Sequence, residues 1–314
     1  MGASSLRIGA GPGGRGQLRL AGAAPSAATF GALAVVEGPV FVGGAGDGTL
    51  LVERSATLYR SGELNVGWDP AVPLAQLRPG RVEIHGTARS GLDGATVTIA
   101  DGNLNVGPQS TVDLGFGGTL FTPGTRLGLE GVGQIIVHER SFPDEVGSTL
   151  STTELILGPS AAGVGVLEIR DGGHVTAQQT RIGLLGGGQV TVSSQIPAWR
   201  AVFETGELSA DHREVITVGA NSVMTSASAA LTGGTFVTLS GGPEQSWDIA
   251  GDLAVGDANG TATVELCPCG ASGRRIDQCR AGQRNSRRRG DPHARRQPHR
   301  GRARARLLAR HADD

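Results

Sequence analysis

The 314-residue sequence contains no lysine, few aromatic residues and only three cysteines. Aromatic residues make up 4% of the chain, which is little for a conventional globular core of this length. The cysteines, Cys267, Cys269 and Cys279, all lie near the C-terminal end, so residues 1–266 can form no disulfide. Without lysine a phosphate-binding P-loop is impossible. No apolar run approaches the roughly 20 residues of a membrane helix, and Met1 is followed directly by a strand pattern, so we expect neither a membrane span nor an export signal in this chain.

Glycine, in contrast, is abundant, with 52 residues, but it shows no Gly-X-Y period, which excludes collagen. One phrase recurs along residues 1–266: a short apolar strand ending in glycine, a turn, another glycine and an alternating strand. Complete copies begin at Leu6, Leu155, Arg181 and Leu253, and the first half returns at 64–67, 104–107 and 216–219. Such a phrase is typical of a solenoid whose glycines form the corners.

The alternation within each phrase places side chains such as Val190 and Val192 on one face and their polar neighbours on the other. Strands this short cannot build a core as hairpins, whereas stacked coils can. We therefore predict an all-β, right-handed parallel β-helix over residues 1–266. The spacings between strand-ending glycines indicate coils of roughly 18–25 residues, about 12 of them, and a rod roughly 60 Å long.

Residues 158–193 resemble the glycine-rich repeat of autotransporter passenger domains and of some sorted surface proteins of Gram-negative bacteria. Residues 237–256 are the most similar stretch, with a strand, a Ser-Gly turn, a Ser-x-Trp step at Trp247 and a terminal Val-Gly. Residues 190–218 form a looser copy with Trp199 in the tryptophan position. The resemblance is clearest over 150–266 and implies a surface or secreted location, but the export signal and membrane barrel of an autotransporter are missing. It implies no catalytic residues, because the family is defined by its repeats.

Two glycine motifs are similar to known binding-site patterns. Residues 9–14 satisfy G-x-G-x-x-G, but a strand pattern follows where a dinucleotide site needs a helix. Residues 43–48 are similar to one calcium-binding nonapeptide of a β-roll, but Asp47 stands one place early and the motif occurs once. We interpret both as corner turns, and we predict no cofactor and no metal site.

A β-helix can also be a polysaccharide lyase or hydrolase, which requires clustered carboxylates with His, Arg or a metal, and aromatic sugar platforms. The densest polar cluster, residues 211–214, is expected to be a solvated loop. The tryptophans are expected to pack at corners. The histidines lie far apart in sequence, although residues one coil apart become neighbours in a solenoid; they are His85, His138, His174 and His212. We therefore predict no catalytic residues.

Residues 267–314 differ from the rest: they hold 14 arginines and four aspartates, about +10, against about −11 for residues 1–266. Three interpretations stay open: a disordered basic arm that binds nucleic acid, a metal site, or a frameshifted stretch of GC-rich DNA. The metal site would use Cys267, Cys269, Cys279, His293 and His299. Either the basic arm or the frameshift predicts a disordered tail and an exposed sheet edge near Val264.

The sequence thus predicts a non-enzymatic bacterial surface or secreted β-helical repeat fragment, adhesin-like or a structural stalk. The alternative is a β-helical carbohydrate-active enzyme. Expected partners are a host or matrix surface ligand, or neighbouring coils of a longer solenoid. Nucleic acid becomes a partner only if the arginine-rich tail is genuine.

Overall fold

A computed structural model describes residues 2–22, 32–86, 94–138, 147–212, 214–240, 244–256, 260–267 and 305–308. Within them 61% of the residues lie in β-strands, and the only helical segment is one 3-10 turn, Leu74–Gln76. The chain visits two sheets alternately, and neighbouring coils pair in parallel, which confirms the predicted parallel β-helix. We call the sixteen-stranded sheet sheet A and the ten-stranded sheet sheet B. The right-handed sense of winding stays a prediction.

Each coil crosses sheet A first and sheet B second. The first five coils contain strands β1 (Gly2–Ala3), β2 (Leu6–Ile8), β3 (Arg15–Ala21), β4 (Leu33–Val36), β5 (Val40–Val42), β6 (Asp47–Glu53), β7 (Thr57–Arg60), β8 (Leu64–Val66), β9 (Gly80–His85), β10 (Thr96–Ile99), β11 (Asn103–Val106), β12 (Ser110–Gly115), β13 (Thr119–Leu127) and β14 (Val132–His138). The next five contain β15 (Thr149–Leu157), β16 (Val164–Arg170), β17 (His174–Ile182), β18 (Gly187–Ser193), β19 (Ala201–Ala210), β20 (Val215–Val218), β21 (Ser222–Leu231), β22 (Phe236–Ser240), β23 (Ser246–Ile249), β24 (Leu253–Val255) and β25 (Thr263–Cys267).

The coils are fewer and longer than the sequence predicts. Sheet B has ten strands, one per coil, so the stack of described coils is about 43 Å long at a rung spacing of about 4.8 Å. Register partners in sheet B lie between 21 residues apart (Ile216 and Val237) and 32 residues apart (Leu50 and Val82). The expectation of about 12 coils was wrong because one glycine phrase, at 216–219, ends a strand of sheet B, whereas the other copies end segments of sheet A.

Two rows of aliphatic side chains line the inner face of sheet B. One row runs from Leu18 to Val264 and the other from Leu20 to Leu266, and each contributes one Leu, Ile or Val per coil. In the eight interior coils every member of both rows is fully buried. Full burial of such a side chain contributes about 1.5–3 kcal/mol. These ladders are the physical reason for the alternation in the sequence.

Glycines with positive φ form the corner between sheet A and sheet B in seven coils: Gly9, Gly43, Gly67, Gly128, Gly158, Gly183 and Gly256. At Gly158 φ is +67°, and a β-carbon would lie 2.9 Å from the backbone nitrogen of Gly187 in the next coil. Both the left-handed conformation and this close approach require glycine. The expected role of the repeat glycines is therefore confirmed, and it includes the two glycine motifs. The first is followed by strand β3 and not by a helix.

In coils five to nine the sheet A strand has nine or ten residues, and one position in its middle has no register partner in the neighbouring coils; we call this position the bend. The inward residue just before the bend is a threonine in three of these strands, and its Oγ1 donates a hydrogen bond to the carbonyl two residues later. The bonds are Thr122 to Gly124 at 2.8 Å, Thr152 to Glu154 at 2.9 Å and Thr205 to Glu207 at 3.1 Å. Each bond satisfies a carbonyl beside the position where the ladder is interrupted.

Replacing Thr152 by Val should lower the free energy of unfolding by about 1 kcal/mol, because the volume is kept while the buried hydrogen bonds are lost. Besides donating to Glu154, the Thr152 hydroxyl accepts a bond from Thr125 Oγ1 at 3.3 Å. Urea denaturation measures the change. Thr176→Val, on the half-buried outer side of the next coil, is the control and should change stability by less than about 0.5 kcal/mol. Equal effects of both substitutions would contradict a role in the bend.

An insert between β8 and β9 runs along the outside of coils one to three. Its Asp69, only 2% exposed, forms an ion pair with Arg7, whose guanidinium lies 4.1 Å from the centre of the Phe41 ring. Trp68 lies at the start of this insert, half-buried, as its predicted corner position requires. The insert thus joins three coils through side chains as well as through the backbone.

The tail contributes one described strand, β26 (Ala305–Leu308), which pairs antiparallel with β23. This pairing runs along the outer edge of β23, from Ser246 to Ile249. Residues 268–304 and 309–314 lie outside the described residues. Near Val264 the predicted exposed edge is present, since among the described strands β25 pairs only with β22.

Candidate functional site

Two histidines that are far apart in sequence lie on neighbouring parts of the outer face of sheet B. His85 ends β9 and His138 ends β14, and β12 lies between these two strands. Register places both histidines beside Gly115. It also places Glu83 beside Asp113, two residues before His85 and Gly115 in their strands. We call Glu83, His85, Asp113 and His138 the histidine cluster.

Gly115 provides the space in which the two rings meet. A β-carbon at this position would lie 3.0 Å from Cε1 of His138 and 3.4 Å from Cδ2 of His85. The His85 ring also makes an edge-to-face contact with Phe116, with 5.6 Å between the ring centres. The absence of a side chain at Gly115 thus leaves room for both rings.

His138 and Asp113 form the tightest pair of the cluster, with Nε2 of His138 2.7 Å from Oδ1 of Asp113. Their side chains are 7% and 17% exposed. Burial alone would raise the pKa of Asp113, but the His138 hydrogen bond and the positive charges of His138, His85 and Arg81 outweigh it and hold that pKa below its usual range.

For the pKa of His85, burial outweighs the charges of its neighbours. Burial lowers its pKa below the usual value, and the nearby carboxylates of Asp113, Glu83 and Glu53 only partly offset that effect. Its Nε2 is buried without a hydrogen-bond partner in the described part of the chain. The cluster therefore combines a hydrogen-bonded imidazole–carboxylate pair with a second imidazole that favours the neutral form.

This arrangement has the side chains of an acid–base site but lacks other parts of one. A carboxylate that orients an imidazole is the usual partner of a general base. However, no three ligating side chains within the described ranges are arranged to hold a metal ion. The prediction of no metal site stays a prediction for the rest of the chain.

Replacing Asp113 by Asn should lower the pKa of His85 further and destabilise the fold by about 1–2 kcal/mol, because a charge-assisted hydrogen bond to His138 is lost. Imidazole NMR titration measures the first effect and urea denaturation the second. Asp101→Asn, at an exposed position, is the control and should change neither. An unchanged His85 titration would show that Asp113 and His85 are not coupled.

The other two histidines of the body each lie near a carboxylate of their own rather than near Asp113. His174 lies 3.6 Å from a carboxylate oxygen of Glu204, and His212 lies 3.7 Å from one of Asp211, both on the surface. Within residues 211–214 the expectation of a solvated loop holds for the exposed Asp211 and His212. It is wrong for Glu214, which is fully buried beneath the preceding coil.

The tryptophans occupy two kinds of position, some at corners and one in the core. Trp199 lies half-buried in a corner, as predicted, but Trp247 is fully buried on the inner side of β23 and is part of the core. Its Nε1 donates a hydrogen bond to Ser226 Oγ in the preceding coil at 3.1 Å. None of the three lies in the histidine cluster, so none forms a sugar platform beside it.

A shallow groove of about 320 Å³ lies on the outer face of sheet A in the last four coils. Its lining is polar or small and includes Gln179, Arg181, Glu207, Ser209 and Ser228. Gln179 donates to Glu207 at 3.4 Å. The groove is on a different sheet from the histidine cluster, so the two do not form one site.

Of the proposed tail metal site only Cys267 is described, at a half-buried position, and its other candidate ligands lie outside the described residues. Helices long and apolar enough to cross a membrane are absent from the described ranges.

Sequence reasoning missed the histidine cluster, although it noted that coils bring distant residues together. The sequence signal for it is that His85 and His138 each form the last residue of an alternating apolar strand. Searches of protein-family models, curated proteins and solved structures found no match to this chain.

Proposed function

We propose that this chain is a non-enzymatic β-helical stalk of a bacterial surface or secreted protein, which spaces or presents an adhesive surface. The observation that carries the proposal is the pair of unbroken aliphatic rows through all ten strands of sheet B. A rod of this kind resists bending because every coil shares its core and its backbone hydrogen bonds with the next.

The outer faces support an adhesive rather than a catalytic role. The groove on sheet A is shallow and is lined by side chains that hydrogen-bond polar ligands. A host or matrix molecule on such a surface would bind through many weak contacts along several coils. The resemblance of residues 158–193 to passenger-domain repeats adds the surface or secreted location to the proposal.

Display of the full chain between an export signal and an outer-membrane anchor in a Gram-negative host tests this function. We expect the chain to be accessible to added protease, and we expect the cells to adhere to matrix-coated surfaces better than cells with the anchor alone. His138→Gln should leave adherence unchanged, because the cluster has no part in it. Failure to reach the surface, or adherence equal to that of the anchor alone, would contradict the proposal.

A β-helical carbohydrate-active enzyme is the second candidate, and the histidine cluster is the observation that favours it. It brings two carboxylates and two histidines together on one face of adjacent coils. Incubation of the protein with acidic and neutral polysaccharides distinguishes the two functions. Chain cleavage by the wild type that is lost in Asp113→Asn and His138→Gln would establish the enzyme and overturn the stalk.

A further inference from the structure

Two exposed aromatic side chains lie in one row on the outer face of sheet A. Tyr59 of β7 is 42% exposed and Phe121 of β13 is 44% exposed. Register places Thr98 of β10 between them, so the two aromatic residues lie two strands apart along the axis of the β-helix. At a strand spacing of about 4.8 Å, their α-carbons are about 9.6 Å apart. The two rings thus form a regularly spaced pair on one face.

Residues with hydroxyl groups surround this pair. A second row of the same outer face, two residues earlier in each strand, holds a threonine in each of four neighbouring strands: Thr57, Thr96, Thr119 and Thr149. The row of the rings itself continues from Phe121 to Ser151 in β15. We call these four threonines, together with Thr98, Ser151 and the two aromatic residues, the aromatic platform.

The aromatic platform has no charged side chain, because its members are all threonine, serine, tyrosine or phenylalanine. The outer face of sheet B in the same coils, in contrast, carries Arg81, Glu83 and Asp113. On sheet A, ionisable side chains begin one coil beyond Thr149 with His174, which lies near Glu204. A surface without charge matches an uncharged ligand and offers no attraction to a polyanion or a charged peptide.

We propose that the aromatic platform binds a neutral, extended β-linked polysaccharide, with the sugar chain lying along the axis of the β-helix. This site is separate from the groove in the last four coils. The inference does not rest on the proposed stalk function, since a stalk or an enzyme could carry such a surface.

The spacing of the two rings favours a straight β-linked chain. In such a chain alternate sugars turn the same way, and this two-sugar repeat is about as long as the separation of Tyr59 and Phe121. Each ring can therefore pack against the apolar C–H face of one sugar, while the sugar between them passes over the smaller Thr98. The flanking threonine hydroxyls can both donate to and accept from sugar hydroxyls. A curved α-linked chain does not keep this spacing.

Calorimetric titration of the purified full chain with cellohexaose and with chitohexaose tests the site. We expect at least one of these β-linked oligosaccharides to bind, and Tyr59→Ala and Phe121→Ala should each weaken that binding at least about fivefold. Phe236→Ala, on the outer side of sheet B, is the matched control and should bind like the wild type. Maltohexaose, which is α-linked, should bind at least about fivefold more weakly than the β-linked ligand.

A third ring tests the spacing directly. Thr176 lies two strands beyond Phe121 in the same row, and Ser151 lies one strand beyond it. Thr176→Tyr should strengthen binding about 2- to 10-fold, because its ring continues the two-strand interval, whereas Ser151→Tyr should not strengthen it. Circular dichroism checks that every variant keeps the β-structure.

Several results would overturn the glycan site. They are the absence of binding by both β-linked oligosaccharides, equal binding of maltohexaose, and a loss in Phe236→Ala as large as that in Tyr59→Ala. A gain in Ser151→Tyr that equals the gain in Thr176→Tyr would contradict the alignment of the sugar chain with the row. Because these measurements use purified protein, they are independent of whether the displayed chain makes cells adhere.

Discussion

Replacing Arg60 by Met should raise the free energy of unfolding by about 2–4 kcal/mol at pH 7. Arg60 is the last residue of β7 and points into the interior of the β-helix, where its side chain is fully buried. None of its three guanidinium nitrogens has a hydrogen-bond partner in the described part of the chain. An unpaired buried cation is costly, and its removal should stabilise the fold.

The neighbours of Arg60 show that an apolar side chain fits at this position. Its register partners are Val36 in the preceding coil and Ile99 in the following coil, both buried. Burial lowers the pKa of Arg60 to about 9, and the charge of Glu63 raises it only in part. This pKa lies well above 7, so the folded protein still holds the charge at neutral pH and the cost is present there.

Urea denaturation of Arg60→Met and of the exposed control Arg81→Met measures the effect. Arg81 is 57% exposed and binds Glu83, so its replacement should change stability by no more than about 1 kcal/mol. If Arg60→Met instead destabilises the protein, the guanidinium is stabilised by groups within the fold and the argument from an unpaired charge fails.

The parallel β-helix was predictable from the sequence because its cause is local. Alternation such as that around Val190 and Val192 determines which face of a strand is buried, and glycines such as Gly158 mark the corners. The number of coils was not predictable, because the phrase at 216–219 has the same local composition as its counterparts in sheet A. Assigning it to a sheet requires the hydrogen-bond register, which depends on distant residues.

The histidine cluster could not be predicted for the same reason. His85 and His138 are 53 residues apart, and they meet only because three strands of unequal spacing stack in one register. Glu214 was misassigned for a different reason: its neighbours Asp211 and His212 are polar and exposed. Its burial depends on space in another coil, which the local sequence does not reveal.

Glu214 should make the protein less stable as the pH rises from about 5 to about 8, and Glu214→Gln should remove this dependence. The carboxylate, one residue before β20, fills space that side chains at Gly183 and Gly188 of the preceding coil would otherwise occupy. Burial is the main cause that raises the pKa of Glu214 to about 8. The backbone N–H of Gly188 lowers the pKa and the charge of Asp211 raises it, and neither reverses the effect of burial.

The direction of this pH effect on stability follows from the number of protons bound to the folded and to the unfolded protein. Between the unfolded value of 4.5 and about 8, the folded protein holds a proton on Glu214 that the unfolded chain has released. Raising the pH therefore favours unfolding throughout this window, and the loss levels off above the folded pKa. Each unit of pKa difference between the folded and the unfolded state corresponds to about 1.36 kcal/mol. We therefore expect the free energy of unfolding to fall by about 2–4 kcal/mol in total after local relaxation.

The difference in unfolding free energy between Glu214→Gln and the wild type isolates this group from the histidines that titrate in the same range. That difference should be near zero at pH 5 and should grow to about 2–4 kcal/mol in favour of the variant by pH 9. Glu37→Gln, at an exposed position, should show no such growth. A Glu214→Gln curve parallel to that of the wild type would mean that the carboxylate is hydrated in the folded protein. In that case the corner at Gly183 and Gly188 would have to open to water.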